Sequence, residues 1–405
     1  MKIKNQLLSA LCILSGSLFA QGYQVPLQGV KEASLGGVSA FADDASIGYF
    51  NPAGLAFVEG KGSISAGAFG VLPQTKFTSA AGVVSKNKEG IEDVVTPFYL
   101  AASYKPTDKI AVGLNIATPF GSVLNYNSAG SQFNNTYSNL QVFSVQPSLA
   151  VKLNNWISVG GAAVYYTGNL TQRAQFAPSS PGFIQLKSDF TAINDWGWNV
   201  GVFLKPAEGL NISAAYRSYV DAQINGSDFT SNTPLAIITS VNTNLPLPAQ
   251  YSFSVAYQML PKLLFAGEIN LVEWSKLDKI TISNAANNTA LPLPLTKNWS
   301  DTVIYRVGLE YSATDKIALR AGYNQSPAVM QSAAIATSSD LQYLTDRHTV
   351  TGGLGYKASE KLNVNLYGAY LIPGERTITS NPAIGNGTAS ISLFAAGLGI
   401  AYSIK

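Results

Sequence analysis

Cysteine is almost missing from this chain. The one thiol, Cys12, lies in an apolar stretch near the N-terminus, so the remainder has neither disulfides nor thiolate chemistry. Charge is scarce too: Asp, Glu, Lys and Arg make up 12% of the 405 residues, about half the usual share for a soluble globular protein. The net charge of +3 is spread thinly, with no Lys/Arg cluster, which argues against nucleic acid as a partner. Histidine occurs once, at His348, so a Ser–His–acid hydrolase would have that imidazole alone. His348 shares strand parity with Val350 and Leu354, on an outward-facing side. No metal-ligand spacing, Gly-rich phosphate loop or cysteine nucleophile appears. The sequence therefore implies no cofactor, no metal and no enzyme. Beyond the N-terminus there is no run of about 18 apolar residues, which excludes helical membrane spans.

What is plentiful is Gly (36), Tyr (20) and Phe (18). Low charge and many aromatics without helical spans point to a transmembrane β-barrel. The N-terminus has a basic start, Lys2 and Lys4, then an apolar core over 7–19. Cleavage after Ala20 makes residues 1–20 a secretory signal peptide. Leu11 is too bulky for a lipoprotein signal at Cys12.

From Gly60 onward, alternating segments of about 10 or more residues recur between turns, the lipid-out, lumen-in dyad of an outer-membrane strand. Over 302–311, Val303, Tyr305, Val307, Leu309 and Tyr311 share one face, opposite Ile304, Arg306, Gly308 and Glu310. Tyr251, Phe253, Val255 and Tyr257 oppose Ser252 and Ser254 in the same way. Six tight links fall near 104–109, 152–155, 205–209, 260–262, 311–316 and 356–361. Between them lie seven longer polar stretches, near 73–93, 119–139, 172–190, 222–247, 275–301, 324–345 and 373–390. Six short and seven long connections in alternation require fourteen strands, with both ends of the barrel on the short-turn, periplasmic side. The expected fold is thus all-β: a 14-stranded antiparallel transmembrane β-barrel over 60–405, with a small N-terminal helical hatch inside the lumen over 21–59.

The hatch segment does not alternate. Asn51 and Pro52 suit a helix start, Asn51 capping free amides and Pro52 taking the first helical position. Composition alone leaves open a cap outside the barrel or a plug within it.

At this point the chain resembles the FadL family of channels for long-chain fatty acids and other hydrophobic compounds. The likeness runs from Gln21, Gly22, Tyr23 and Gln24 through Ala42, Asp43, Asp44 and Ala45 to Asn51, Pro52 and Ala53. It continues at Ala215–Ser218, Glu268–Trp274, Tyr305–Tyr311 and Asp346–Val350, so it covers essentially the whole mature chain. The resemblance implies an outer membrane of a Gram-negative bacterium and passive uptake of a fatty acid or hydrocarbon, with outer-membrane lipid around a barrel expected as a monomer. It implies an interior apolar site near the hatch N-terminus, at Gln21 and Tyr23, and a lateral exit through a gap made by a kinked strand. Gly113 or Pro119 in the third strand are the candidates for that kink, with ordinary packing as the other reading of Gly113. The same resemblance makes Arg173, and after it Lys297, the candidate cation for a ligand head group.

Parity places Arg217, Asp221, Glu268, Arg306, Glu310, Arg320 and Arg347 in the lumen. They are either an ion-pair belt that holds the hatch or a source of one cation for a ligand carboxylate. Apolar patches at 177–184, 235–238 and 291–295 in the outer loops are candidate catching surfaces, or packed loop cores. The other readings are a surface-exposed structural or adhesion barrel and an aromatic-hydrocarbon channel. A greasy cavity discriminates methylenes weakly, so the ligand itself stays open here.

Overall fold

One wall of fourteen antiparallel strands closes on itself in the computed structural model. The structure describes residues 22–86, 94–125, 135–176, 184–230, 240–290, 295–335, 338–379, 381 and 384–405; the expected signal segment and Gln21 lie outside them. The strands are β1 (Gly62–Ser79), β2 (Phe98–Thr107), β3 (Ile110–Asn125), β4 (Asn135–Lys152), β5 (Ile157–Phe176), β6 (Ile184–Ala207), β7 (Leu210–Arg217, resuming as Val220–Thr230), β8 (Val241–Leu247, resuming as Gln250–Leu260), β9 (Leu263–Val272), β10 (Thr302–Ser312), β11 (Ile317–Ser326), β12 (Arg347–Lys357), β13 (Leu362–Ile378) and β14 (Gly387–Ile404). Each pairs with the next, and β14 pairs with β1 from Gly62 opposite Ile404 to Ser79 opposite Gly387. That last ladder removes the free edges an open sheet would have.

Tyr251, Phe253, Tyr257, Val307, Leu309 and Tyr311 are exposed on the outer face, while Ser254, Glu268, Arg306 and Ile304 are buried on the inner one. This is the alternation read from the sequence. The six short turns fall where expected, and most of the long connections are shorter than predicted, though the one near 275–301 is not. β1 runs to Ser79 and β5 to Phe176, well into stretches read as loops. The outward residues of β1 there, such as Gln74 and Lys76, are exposed and polar. The alternation signal ends with the lipid, whereas the ladder hydrogen bonds go on beyond it.

Unbroken parity predicts Asp221 in the lumen. Instead Asp221 is exposed on the outside, and Val220, Ala222 and Ile224 are buried. The cause is the break at Ser218 and Tyr219, which shifts β7 by one residue and exchanges its faces.

Residues 22–59 lie within the barrel, in contact with inward side chains around the whole wall. Two short helices, α1 (Val30–Ser34) and α2 (Ile47–Phe50), are followed by a 3-10 turn, Pro52–Phe57. The turn starts as the sequence suggests: Asn51 Oδ1 accepts from the Ala53 amide at 3.0 Å and Pro52 occupies the first position. The segment has little regular structure of its own, so wall side chains supply hydrogen-bond partners for its backbone. Asn115 of β3 donates to the Ala45 carbonyl at 3.0 Å, Ser158 of β5 to Ala53 at 2.7 Å, and Asn199 of β6 to Tyr49 at 2.9 Å. On the far side Thr351 of β12 donates to the Ser34 carbonyl at 3.0 Å. Glycines in the wall let the segment come close: a Cβ at Gly160 would stand 2.4 Å from the Ala53 nitrogen, and one at Gly322 2.2 Å from that of Gly36.

Candidate functional site

The inward charges form a belt around the inserted segment, and most are neutralised in place. Arg306 of β10 pairs with Glu268 of β9. The other Glu268 oxygen accepts from the Ser39 amide at 2.8 Å and the Ser39 hydroxyl at 2.6 Å. Both side chains are buried, so each needs the other: an unpaired charge there costs several kcal/mol, by the usual estimate of about 3–5. Glu310 takes the Arg320 Nε at 2.6 Å and lies 3.6 Å from Lys31 Nζ, whose other partner is Asp43. Asp44 Oδ1 accepts from the Ser46 amide at 2.8 Å and so shapes the turn into α2. Burial next to Asp44 pushes the Glu32 carboxyl up to about 8.

Arg217 has no carboxylate partner among the described residues. Its guanidinium lies over the Tyr49 ring at 4.4 Å and donates to the Tyr49 carbonyl at 2.6 Å, to Gln146 Oε1 at 2.9 Å and to the Tyr166 hydroxyl at 3.3 Å. These contacts hold the segment down. Asn51 does the same from the other partner: its Nδ2 donates to Val202 O at 2.9 Å and Ser213 Oγ at 2.9 Å.

The N-terminal end of the segment reaches an aromatic nest. Tyr23 meets Trp274 at 4.8 Å, Trp299 at 5.8 Å and Phe120 at 5.9 Å between ring centres, and its hydroxyl donates to Pro246 O. Gly22 before it has φ +54°, and a Cβ there would come 2.4 Å from the Trp274 ring, so only glycine fits.

β3 is irregular beside this nest. Ala117 opposes Ser144 but Phe120 opposes Val142, which leaves one extra residue in β3 at Thr118 and Pro119. The β2 ladder stops at Ala117. Above it the inserted segment takes the vacant edge, with Val25 N donating to Pro119 O and Gly121 N to Tyr23 O, both at 2.9 Å. Gly113 is in regular register on both sides. A Cβ there would lie 2.6 Å from Leu55 of the inserted segment, so its smallness serves packing.

Between this edge and β12–β14 lies a cavity of about 150 Å³. Val71, Val95, Val123, Leu371 and Leu393 form apolar walls, residues 22 and 24–27 line its inner side, and Arg347 supplies the one cation of the lining. Arg347 Nη2 donates to the Gln342 carbonyl at 3.0 Å, and its Nε has no partner among the described residues. A buried donor without an acceptor is costly, and here it borders a space large enough for a ligand.

Of the sequence candidates, Arg347 lines this cavity, whereas Tyr23 sits in the aromatic nest beside it, between the lining residues Gly22 and Gln24. Lys297 does not offer a free ammonium: it is buried in an ion pair with Asp340 at 2.7 Å. Arg173 is placed near the outer end of β5, opposite Lys187 of β6; its side chain lies outside the described ones, as do most of the loop patches at 177–184, 235–238 and 291–295. The sequence carried Arg347 as a lumen charge but did not mark it as the cavity's cation. Its partners in the lining, such as Val71 and Leu393, come from β1 and β14, and no local spacing joins them.

The chain matches the family model described as outer membrane protein transport protein (OMPP1/FadL/TodX) over residues 11–404. Similar solved structures include a FadL homologue of Pseudomonas aeruginosa, with TM-score 0.79 and 17% identity over 95% of this chain and 100% of that one. Another is the toluene transporter TodX of P. putida, with TM-score 0.71 and 14% identity over 96% and 99%. At such identities the likeness concerns the fold. Among sequence relatives, a protein of Neisseria meningitidis serogroup B described as an outer membrane protein is 33% identical over 132 residues, 30% of this chain and 28% of that protein. The match along nearly the whole chain and the closed 14-strand wall together make this a member of the FadL/TodX family of outer-membrane transporters of hydrophobic compounds.

Proposed function

We propose that this barrel admits amphiphiles with an apolar body and one carboxylate, long-chain fatty acids foremost, and that residues 21–59 act as its hatch. The observation that carries this reading is Arg347, a cation with no carboxylate partner among the described residues, facing an apolar cavity. A tail gains about 0.8 kcal/mol per buried CH₂, and the guanidinium fixes the head by a charge-assisted hydrogen bond. Tyr23 closes the inner side of the path, and a chain longer than the cavity advances only when residues 22–27 move aside. The extra residue at Pro119, covered by that same segment, is the place for a lateral exit once it withdraws. The ligand crosses unchanged, and the barrel works as a monomer.

The size of the cavity favours a second reading. About 150 Å³ is the volume at which an apolar protein cavity takes up benzene, so a single aromatic ring fills the closed state. Three of the similar structures are described as toluene transporters.

Titration of the folded barrel in detergent with dodecanoate, dodecanol and toluene separates the readings. In Arg347→Met the dodecanoate affinity falls roughly 10- to 150-fold, from about 1.5–3 kcal/mol for a hydrogen bond to a charged group, while the neutral ligands bind as before. Equal affinity of the variant for dodecanoate would refute the carboxylate reading. Tight toluene binding with none of dodecanoate would favour the aromatic one.

A further inference from the structure

The wall is not zipped throughout. Between β6 and β7 the ladder stops at Asn199 opposite Arg217 and resumes only at Thr191 opposite Asn225. Side chains stand in between: Trp198 N donates to Ser218 Oγ and Gln223 N to Asp195 Oδ2, each at 2.9 Å. The reason is a mismatch of faces. β6 carries an extra residue at Ala192, where Gly168 opposes Ile193 but Asn169 opposes Thr191. β7 carries its own break at Ser218 and Tyr219. Between the two irregularities Trp196 points outward, yet the residue at its register position is Val220, which is buried inward. Opposed residues of a ladder must share a face, so no ladder forms across this stretch beyond one backbone bond at its inner end, Ser218 N to Trp198 O at 2.9 Å.

The outer halves of β7 and β8 remain paired to one another, from Val220 opposite Leu247 to Gly226 opposite Val241. Both strands break at the same level, β7 at Ser218 and Tyr219 and β8 at Pro248 and Ala249. They form a hairpin with two aligned hinges. Toward the strands that follow, the described ladder of the hairpin is short, Val241 and Asn242 with Asn284 and Ser283, continued by Ala285 N donating to Ser240 O at 3.1 Å. From inside, Tyr23 donates its hydroxyl to Pro246 O and Gln24 donates to Gln250 Oε1 at 2.8 Å beside the hinge. Val220, Ile224 and Leu245 of the hairpin pack in the apolar cluster that contains Tyr23 and Trp274. Outside, the seam is flanked by Trp196 and Trp198, which are 65% and 49% exposed, the aromatics expected at a membrane interface.

We propose that the β6–β7 seam is a lateral portal, through which hydrophobic molecules held at the outer membrane interface enter the apolar cluster, with Tyr23 as its inner latch. The proposal rests on the reading of this barrel as a channel for such molecules. Ladder bonds are what make a barrel wall tight in lipid, and this stretch replaces them with one backbone bond at its inner end and a few side-chain bonds. A portal here connects the bilayer with the ring nest by a hinge motion of one hairpin.

Beyond Cys12 the chain has no cysteine, so a staple can be built: a Cβ at Gly197 lies 2.8 Å from Val220 Cγ2. The double variant Gly197→Cys, Val220→Cys is reconstituted in vesicles and its uptake of dodecanoate and toluene measured oxidised and reduced. A control pair, Gly161→Cys with Val200→Cys, staples the intact β5–β6 ladder, where these residues are opposed. Oxidation is expected to slow uptake at least tenfold in the seam variant, with recovery on reduction, and to leave the control unchanged. Tyr23→Phe, which frees the hairpin from its latch, raises uptake severalfold in the reduced seam variant and not in the oxidised one. Unchanged uptake in the oxidised seam variant, or an equal loss in the control, overturns the portal. An equal gain from Tyr23→Phe in the oxidised form would overturn the latch. Dodecanoate binding in detergent reads the Arg347 cavity and the staple reads the wall, so the two readings fail separately.

Discussion

Adding one methyl group at Gly160 would loosen the inserted segment while leaving the barrel standing. The Cβ of Gly160→Ala would lie 2.4 Å from Ala53 N, 2.7 Å from Ala53 Cα and 2.7 Å from Pro52 C. All three are backbone atoms, so no rotamer change relieves the clash. The 3-10 turn has to move off β5, and with it the Ser158 hydrogen bond to Ala53 and the Asn51 contacts to β6 and β7. Overpacking of this kind costs about 1–3 kcal/mol, which corresponds to a rise of roughly 5- to 150-fold in the population of the unseated segment, at a factor of ten per 1.4 kcal/mol. The fourteen-strand ladder does not depend on that contact. Gly368→Ala is the control, since a Cβ there meets nothing within 4 Å. Hydrogen exchange at residues 48–57 should speed up by that factor in Gly160→Ala, with strand amides unaffected and steady conductance in planar bilayers increased. Unchanged exchange at residues 48–57 would show that the wall glycines do not set the fit of the segment.

Two further tests concern the buried charges. Glu268→Ala leaves Arg306 unpaired inside the lumen and is expected to cost about 3–5 kcal/mol in unfolding experiments, whereas replacing both residues by Met costs far less; equal losses would mean that the pair has no mutual dependence. Glu32 supplies a pH dependence. Its carboxyl is raised from 4.5 to about 8, so between those values the native state keeps a proton that the unfolded state has lost. Stability then falls as pH rises through this window, by about 1.4 kcal/mol per unit at most. Glu32→Gln should flatten the slope, and an unchanged pH profile of thermal unfolding would exclude Glu32 as its source.

The wall was legible because strand alternation under lipid is strict. The segment from Thr302 to Tyr311 has the faces that its sequence spells out, and the count of turns gives the count of strands. Asp221 shows where the method ends. Parity is a running tally that survives only while the strand is unbroken, and nothing in Arg217, Ser218, Tyr219 and Val220 announces that one residue is skipped. The turn start at Asn51 and Pro52 was legible, because its local geometry needs no distant partner. The cavity was not, because closing the barrel sets Val71 beside Leu393 across more than three hundred residues of chain, and Arg347 becomes the cation of that space only after closure.

The ladder between β1 and β14 also has a bearing on how the protein is made. All 18 residues of β1 find partners in β14, yet these are among the most distant pairings in the chain. Entropy of loop closure grows with the length enclosed, and topologies ruled by such remote contacts assemble slowly. The inserted segment lies immediately before β1, the strand that waits longest for its second neighbour. Its many polar contacts with other strands let it act as an internal template, around which those strands collect before the final zipper shuts. Deleting it should therefore slow the arrival of folded barrel in the membrane more than it weakens the barrel once formed.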